Sequence, residues 1–332
     1  MAPKYARDQP DGFTNQIERV AIVGAGGQIG SYFVRALLET GKHRLTAITR
    51  KSSNTLPKGV HEVEVDYDDE ATLVHALQDQ QFLIITMAVT APAGTQSKII
   101  RAAAKAGVPY VMPSWYGADI ERKNLLKDLP IRADWTNVTE EISSLGVSSW
   151  IAYTTGFWYE FSLLGAPDAY GFDIKNRHFT IIDDGDVAIN TSTYAQCGRG
   201  LAKLLSLKEL PEDESDRSKT LSQFRNSTLY VSSFRLTQRD MFDSLKRVTG
   251  TDDADWTISN ETSAQRWRDG RDELQSGQYT GFIKQLYSRI FFPGGDGDYE
   301  TTPGTHNAVL GLPKEDLDEA TRRSVEIFGS EK

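Results

Sequence analysis

The sequence is poor in the features that mark several common classes of protein. Its 332 residues include one cysteine, Cys197, so an internal disulfide framework is excluded and a reducing, cytoplasmic location is predicted. The longest apolar stretch, FLIITMAV, is too short to span a bilayer. The five histidines show no HExxH-like spacing and no cysteine pair exists, so no metal site is predicted. A net charge of −9 provides no basic surface for nucleic acid or an anionic membrane.

Glycines are concentrated in the stretch AIVGAGGQIG at 21–30, between a predicted strand and the predicted helix SYFVRALLE. Strand, glycine turn and helix N-terminus together form a phosphate site, because free N–H groups at a helix N-terminus favour an anion. The spacing fits GxxGxxG on Gly24, Gly27 and Gly30. Gly24 then makes the turn, Gly27 lets the backbone approach a pyrophosphate, and Gly30 lets the helix pack on its strand. A glycine turn without a ligand is the alternative.

The following strand, RLTAITRKSS, indicates which dinucleotide would bind. NAD-binding chains usually carry Asp or Glu about 20 residues after the glycine motif, to hold the ribose 2′-hydroxyl. Here the strand ends with Arg50, Lys51, Ser52 and Ser53. Cations and hydroxyls suit a 2′-phosphate, so the predicted cofactor is NADP(H). An ordinary solvated basic turn is the alternative.

Length and periodicity predict two unequal parts. Apolar strand patterns alternate with helical ones up to about residue 155, which predicts an α/β, Rossmann-like doubly wound parallel sheet. The remainder is more irregular and richer in aromatic residues, as expected of a smaller C-terminal substrate lobe. The predicted organisation is a frayed N-terminus at 1–17, a nucleotide-binding domain at 18–155 with return elements at about 178–207, and a mainly substrate-binding lobe at 156–332.

An ordered set of segments resembles a known family. The segments are VGAGGQIG, TRKSS, VDYDDEATLVHAL, QSKIIRAAAKAGVPYVMPSWYGAD, TTGFWYEFSL and LGLPKEDLDEAT. From about residue 18 onward, the chain resembles the NmrA-like, isoflavone-reductase-like branch of the atypical short-chain dehydrogenases, and within it the fungal CipA-like oxidoreductases. The resemblance implies a Rossmann-like NADP(H) domain, a C-terminal lobe over a substrate cleft, and an oxidoreductase of fungal secondary metabolism.

The resemblance also implies which residues hold the cofactor. The matching positions are the pyrophosphate loop (Gly24, Gly27, Gln28, Ile29 and Gly30), the 2′-phosphate clamp (Arg50 and Lys51), the segment beside the adenine ribose and nicotinamide (Met87 and Ala88) and the turn beneath the nicotinamide (Gly156 and Phe157).

One departure from the family pattern concerns the proton donor. Reductases of this family carry a lysine that protonates or polarises the substrate, and Trp135 stands at the matching position here. The YxxxK pair of ordinary short-chain dehydrogenases is also missing. An indole N–H can donate a hydrogen bond but has no transferable proton near neutral pH. Tyr116 and Tyr159 are the first candidates to replace the lysine. Further candidates are Tyr153, Lys127 and Asp134, and packing is the alternative for each tyrosine.

Aromatic residues suggest the substrate class. Trp115, Trp135, Tyr153 and Trp158 are predicted to line the substrate site, although the cluster GFWYEF could instead seal an interdomain core. Glu160 within it is a candidate base. The predicted reaction acts on a C=C or C=N (iminium-like) bond of a largely apolar, polycyclic or alkaloid substrate. A redox-mediated cyclase using the same NADP(H) and a non-catalytic NADP(H)-sensing regulator are the alternatives, in a monomer or homodimer.

Overall fold

The computed structural model describes residues 5–50, 56–164 and 167–330. The strands are β1 (Arg19–Val23), β2 (Arg44–Thr49), β3 (Val60–Glu64), β4 (Phe82–Ile85), β5 (Tyr110–Met112), β6 (Ser149–Thr154), β7 (Phe157–Trp158), β8 (Phe172–Asp173), β9 (His178–Ile182), β10 (Ile189–Ser192), β11 (Ser227–Tyr230), β12 (Phe234–Leu236) and β13 (Thr257–Glu261). The α-helices are α1 (Gln28–Glu39), α2 (Glu70–Leu77), α3 (Thr95–Ala106), α4 (Lys123–Asp128), α5 (Ala133–Thr136), α6 (Val138–Leu145), α7 (Tyr159–Leu164), α8 (Tyr194–Leu205), α9 (Gln238–Thr249), α10 (Ser263–Gln275), α11 (Thr280–Ile290) and α12 (Leu317–Ser330).

A parallel sheet organises the N-terminal part of the protein. Its seven strands lie in the order β11-β6-β5-β4-β1-β2-β3, and each neighbouring pair is parallel. The inner strands β1 and β4 are apolar runs with almost every residue buried, because helices cover both faces of the sheet. Strand order reverses between β1 and β4, and a crevice opens there at the carboxyl ends of the strands. The predicted Rossmann-like α/β fold is confirmed.

Two apolar cores flank this sheet. On one face α1 and α8 pack together, and Phe33, Leu37, Cys197 and Leu201 are completely buried among them. The other face is covered by α2, α3 and α6. The amphipathic periodicity of these helices therefore places their apolar sides against the strands. Cys197 packs as a small apolar side chain, and its thiol is free and buried.

The C-terminal part has its own core and two small sheets. Strands β7, β10 and β12 form one sheet, and β8, β9 and β13 form the other. The expected return of 178–207 to the first domain occurs only through α8, since β9 pairs with β8 and β13 instead. The strand that does return is β11, which sequence reasoning missed. It is short and polar, and its place depends on pairing with β6, where the Asn226 amide oxygen accepts a hydrogen bond from the Trp150 backbone.

The N-terminal segment makes contacts that its composition did not indicate. Residues 5–17 lie against the segment around 209–212. The Asn15 side chain donates to the carbonyl of Leu210 at 2.9 Å and accepts from its N–H at 2.8 Å. Ile17 is completely buried in the core beside α1. Paired backbone groups and an apolar anchor thus order a segment whose composition alone indicated a loose end.

Candidate active site

The glycine loop is shaped by close backbone contacts at the end of β1. Gly24 has a φ of +80°, and a Cβ there would lie 2.1 Å from the carbonyl oxygen of Thr86. A Cβ on Gly30 would lie 2.1 Å from the carbonyl oxygen of Gly24. The Thr86 hydroxyl donates to the carbonyl of Val23, which joins the loop to the end of β4. These two glycines therefore have the packing roles expected from the motif.

Gly27 has a different environment. It is exposed, and the nearest atom to a Cβ there is the Gly24 carbonyl oxygen at 3.1 Å. It caps α1 without a side-chain hydrogen bond, and no acidic residue lies in the first turn of that helix. The first N–H groups of α1 consequently face an open cradle that an added side chain would fill, which suits a pyrophosphate. The neighbouring Gln28 is exposed and Ile29 is buried in the core.

A polar cavity of about 950 Å³ opens beside this loop, at the ends of β1 to β4. It includes Gly24, Met87 and Ala88 together with Arg50, which is exposed at the end of β2. Charged residues of both signs line the cavity, namely Arg50, Glu64, Asp66, Asp68 and Lys98. Lys51 of the predicted clamp lies outside the described residues, as do Ser52 and Ser53. The cavity thus has the position expected for the adenosine end of a dinucleotide, with Arg50 at the carboxyl end of β2.

An aromatic cavity of about 330 Å³ adjoins it. Met87 and Ala88, immediately after β4, line both cavities, so the two form one cleft along the sheet edge. Gly156 and Phe157 also line the aromatic cavity, as does Gln28. Gly156 has a φ of +66°, and a Cβ there would lie 2.2 Å from the Asn190 carbonyl oxygen. The tight turn after β6 thereby brings Phe157 to the cavity, where its ring stacks on Tyr287 at 4.3 Å.

Three of the predicted substrate residues surround this cavity. Trp115, Trp135 and Trp158 all line it, although they come from three separate segments of the chain. The indole N–H of Trp115 is already used, since it donates to the carbonyl of Ala118 at 2.6 Å. Trp115 therefore offers an apolar ring face to the cavity rather than a hydrogen-bond donor.

The three candidate tyrosines do not present free hydroxyls to the cavity. The Tyr116 hydroxyl donates to the Ile85 carbonyl at 2.7 Å, and burial raises its pKa well above the ordinary value. The Tyr159 hydroxyl is buried against Thr321 at 2.7 Å, and Tyr153 donates to the Cys197 carbonyl at 2.8 Å. Only Tyr116 lines the cavity, and it does so with its hydroxyl engaged. This placement argues against the donor roles of Tyr116 and Tyr159 and removes Tyr153 from the substrate wall.

The remaining polar candidates lie elsewhere. Lys127 is exposed on α4 and is not among the residues that line the cavity. Asp134 accepts from the Gly94 N–H at 3.2 Å and from the Arg132 guanidinium at 3.0 Å. Hydrogen bonding from Arg132 lowers the pKa of the Asp134 carboxyl. Both residues are therefore unsuited to protonating a molecule bound in the aromatic cavity.

Glu160 is buried beside the site without reaching it. Its carboxyl accepts from the N–H of Tyr194, the first residue of α8, at 3.1 Å. Burial raises its pKa to about 7, against hydrogen bonding that lowers it. Glu160 does not line the aromatic cavity, so the structure gives no contact that a base would need.

Helix α11 supplies a wall that sequence reasoning missed. Four residues of this helix line the aromatic cavity, together with Tyr279 just before it: Phe282, Ile283, Leu286 and Tyr287. Their spacing of three and four residues is that of one apolar helix face, which was the available signal in the segment YTGFIKQLY. An apolar helix face more often packs on a core, so only the tertiary contact shows that this one faces a cavity.

The hydrogen-bonding groups of the cavity wall are largely used internally. Ser114 accepts from the Met87 N–H at 2.9 Å and donates to the Met87 carbonyl, and the Tyr287 hydroxyl pairs with Ser162. None of the described residues that line the cavity is acidic, basic or a histidine. The cavity can therefore orient an apolar ring but offers no strong acid to a bound molecule.

Within residues 5–50, 56–164 and 167–330, no group of three histidine, cysteine or acidic side chains is arranged to hold a metal ion. In the same ranges, no helix has both the length and the apolar character needed to cross a membrane.

Known proteins resemble this chain both in sequence and in fold. The NmrA-like family matches residues 16–171. Oxidoreductase aprR of Aspergillus flavus is 28% identical over 307 residues, covering 91% of this chain and 96% of that protein. The solved structure of AtPrR2 with NADP⁺ and (+)pinoresinol has a TM-score of 0.71 at 20% identity, covering 94% of this chain and 100% of the other. An isoflavone reductase structure has a TM-score of 0.67 at 20% identity, covering 92% and 99%.

These findings support the resemblance over residues 16–171, while the narrower CipA-like group stays a prediction. The family match coincides with the segment that builds β1 to β6 and the glycine loop. The two solved structures share the fold along nearly the whole length of the chain. Residues 16–171 are similar to the NmrA-like family, and the fold of the whole chain is that of an isoflavone reductase structure.

Proposed function

We propose that this protein is an NADP(H)-dependent oxidoreductase that transfers hydride at a C=C or C=N bond of a largely apolar, polycyclic or alkaloid substrate. The observation that carries the proposal is the pair of adjoining cavities, one polar and one aromatic, which share Met87 and Ala88. A dinucleotide needs a polar region for its adenosine and phosphates, and its reactive ring must meet the substrate in a region that excludes water.

The residues present fit the cofactor. The open cradle at Gly27 and the N-terminus of α1 would hold the pyrophosphate, and Arg50 would contact the 2′-phosphate from the polar cavity. Met87 and Ala88 would guide the cofactor between the cavities, and Gly156 with Phe157 would lie beneath the nicotinamide. NADP(H), when bound, supplies or accepts the hydride.

The aromatic cavity suggests which bonds can react. An acceptor that needed a proton from the protein would find no lysine, histidine or carboxyl among the described residues that line the cavity. An iminium ion becomes a neutral amine when its carbon accepts hydride. It therefore needs no proton at that step. The ring faces of Trp115, Trp135 and Trp158 would stabilise such a cation by cation–π attraction, worth about 0.5–2 kcal/mol. This favours a C=N bond and is consistent with Trp135 at the position that the resemblance assigns to the family lysine.

The first test concerns the cofactor. Arg50→Ala should weaken NADPH binding by about tenfold, because hydrogen bonds to charged groups contribute about 1.5–3 kcal/mol. NADH binding should change little, since it lacks the 2′-phosphate. Titration of wild type and variant with both cofactors measures the effect, and Arg268→Ala, on the exposed side of α10, is the matched control. Equal affinity of the wild type for NADH and NADPH contradicts the assignment.

The second part of the test concerns turnover. Wild-type protein with NADPH should reduce a bicyclic iminium such as 3,4-dihydroisoquinolinium, and the saturated amine should appear by mass spectrometry as NADPH absorbance falls. A panel of simple ketones, which need a proton for reduction, should react far more slowly. NADPH binding with no consumption across iminium, quinone and ketone panels instead supports a non-catalytic NADP(H)-sensing regulator. Product rearrangement without net NADPH consumption supports a redox-mediated cyclase.

A further inference from the structure

Three large apolar side chains are exposed at the mouth of the aromatic cavity. Val89 is 41% exposed, Phe161 39% and Tyr279 53%, and each of them also lines the cavity. They come from the loop after β4, from α7 and from the residue before α11. We call these three residues the outer rim. The other large hydrophobic side chains exposed in the described ranges, Val147, Ile258, Val309 and Ile327, do not line the cavity.

The size of the cavity indicates what the outer rim is for. Sites for a single drug-sized ligand span about 300–1,000 Å³. The aromatic cavity measures about 330 Å³ and, under the proposed function, holds the nicotinamide end of the cofactor as well as the reacting bond. The space that remains suits a single reacting ring better than a whole polycyclic substrate. The part of the molecule beyond the reacting ring must therefore lie outside the mouth.

The outer rim is suited to cover such a part. An apolar group leaving the cavity would meet Val89, Phe161 and Tyr279 directly, because these residues continue the wall to the surface. Tyr279 also stacks on Phe282 of the inner wall, with 5.5 Å between ring centroids and 6° between their planes, so the aromatic wall continues from the cavity to the surface. A second copy of the chain is a poor occupant, since three side chains fall far short of the roughly 800 Å² per partner of a stable interface.

We propose that the outer rim is a second subsite, which binds an apolar extension of the substrate while the reacting ring lies in the aromatic cavity. The inference rests on the proposed function, because it takes the inner cavity as the place of the reacting ring. It predicts that affinity rises with the length of an apolar chain attached to that ring, and that the rise depends on the rim residues.

The experiment uses 2-alkyl-1,4-naphthoquinones, from methyl to hexyl, as neutral probes. Binding to the full chain saturated with NADP⁺, which cannot reduce them, is followed by quenching of tryptophan fluorescence. The readout is the ratio of the Kd for the methyl probe to the Kd for the hexyl probe. Each methylene that leaves water lowers the wild-type Kd by up to about fourfold. Phe161→Ser and Tyr279→Ser should each reduce the ratio at least threefold. Val147→Ser, a matched exposed residue away from the mouth, should leave the ratio unchanged.

The outcomes separate the two proposals. A wild-type ratio near one, or rim variants that keep the wild-type ratio, overturns the outer subsite while leaving the inner site in place. An equal loss in Val147→Ser shows nonspecific partition and also overturns it. Failure of the methyl probe to bind at all contradicts the inner cavity as a substrate site, and both proposals then fail together. A change of oligomeric state in Phe161→Ser or Tyr279→Ser, seen by sedimentation, assigns the rim to a second copy instead.

Discussion

Several side chains at this site lie in surroundings that their residue type does not suggest. Tyr116 and Tyr159 are good donors by residue type, yet both hydroxyls are buried and paired inside the protein. Trp135 brings no proton but lines the aromatic cavity together with two other tryptophans. The described wall of the aromatic cavity thus offers mainly ring faces to a ligand. A polar atom can contribute to its chemistry only if no other group in the protein already pairs with it.

Glu160 provides a residue-scale prediction about pH. Its ordinary pKa is 4.5 and burial raises it to about 7, so the folded protein holds a proton that the unfolded chain has lost between these values. Stability from this group is complete below pH 4.5 and is lost as the pH rises through 7. Glu160→Gln stays neutral and can still accept from the Tyr194 N–H. The variant should therefore gain stability over wild type as the pH rises, by up to about 3 kcal/mol at pH 8.

Urea unfolding at pH 5 and pH 8 measures this difference. Glu140→Gln, an exposed position on α6, is the charge-matched control and should change stability equally at both values. A Glu160→Gln variant whose stability relative to wild type is the same at pH 5 and pH 8 would falsify the assignment of a buried, neutral carboxyl.

At the scale of elements, a short connection joins the two cavities. The loop between β4 and α3 lines the polar cavity, and the segment before α5 lines the aromatic one. Arg132 donates to the Ala91 carbonyl at 3.0 Å, while Asp134 accepts from Arg132 and from the Gly94 N–H. The Asp134 carboxylate therefore caps the start of α3 from a separate segment and holds the two walls together.

Asp134→Ala should weaken NADP⁺ binding several-fold, because it frees the loop that lines the polar cavity. The group is partly exposed, so about 1 kcal/mol is expected rather than the full energy of a charged hydrogen bond. Asp134→Asn keeps an acceptor for the Gly94 N–H, so its NADP⁺ affinity should lie between those of Asp134→Ala and wild type. Isothermal titration with NADP⁺ measures the series, with Glu140→Gln as control. Wild-type affinity in Asp134→Ala would show that the connection does not shape the cofactor cavity.

At the scale of the whole molecule, buried ion pairs join the C-terminal helices to the nucleotide-binding part. Arg289 on α11 is nearly inaccessible and donates to Asp128 at 2.7 Å and to Asp296 at 2.8 Å. Gln285 and Trp267 donate to the carbonyl of Asp128 as well. The end of α4 thus holds the pair of helices α10 and α11. This contact places the apolar face of α11 over the aromatic cavity.

Arg289→Ala should cost about 1–3 kcal/mol of unfolding free energy, because it removes charge-assisted hydrogen bonds to two partly exposed carboxylates. The loss should also loosen α11 and weaken binding of the methyl naphthoquinone probe. Urea unfolding and probe titration measure the two effects. Arg268→Ala on the exposed side of α10 should show neither. A variant as stable as wild type contradicts this account of how the two parts are joined.

Local sequence determined the nucleotide-binding half of this protein to a large extent. The apolar strand runs and the glycine spacing are patterns within short segments, so the parallel sheet and the strand–turn–helix unit at β1 and α1 could be predicted from them. Arg50 directly follows a strand of the sheet and lines the polar cavity, while its contact with a 2′-phosphate stays a prediction.

Tertiary structure alone decided which side chains remain available at the site. The pairing of Tyr116 with Ile85 and of Tyr159 with Thr321 joins residues 31 and 162 positions apart, and no local pattern specifies such pairs. The same holds for β11 at the sheet edge and for the apolar face of α11, which the ion pairs of Arg289 place over a cavity. Periodicity predicts that a face is apolar, but whether it meets a core or a cavity depends on the packing of distant elements.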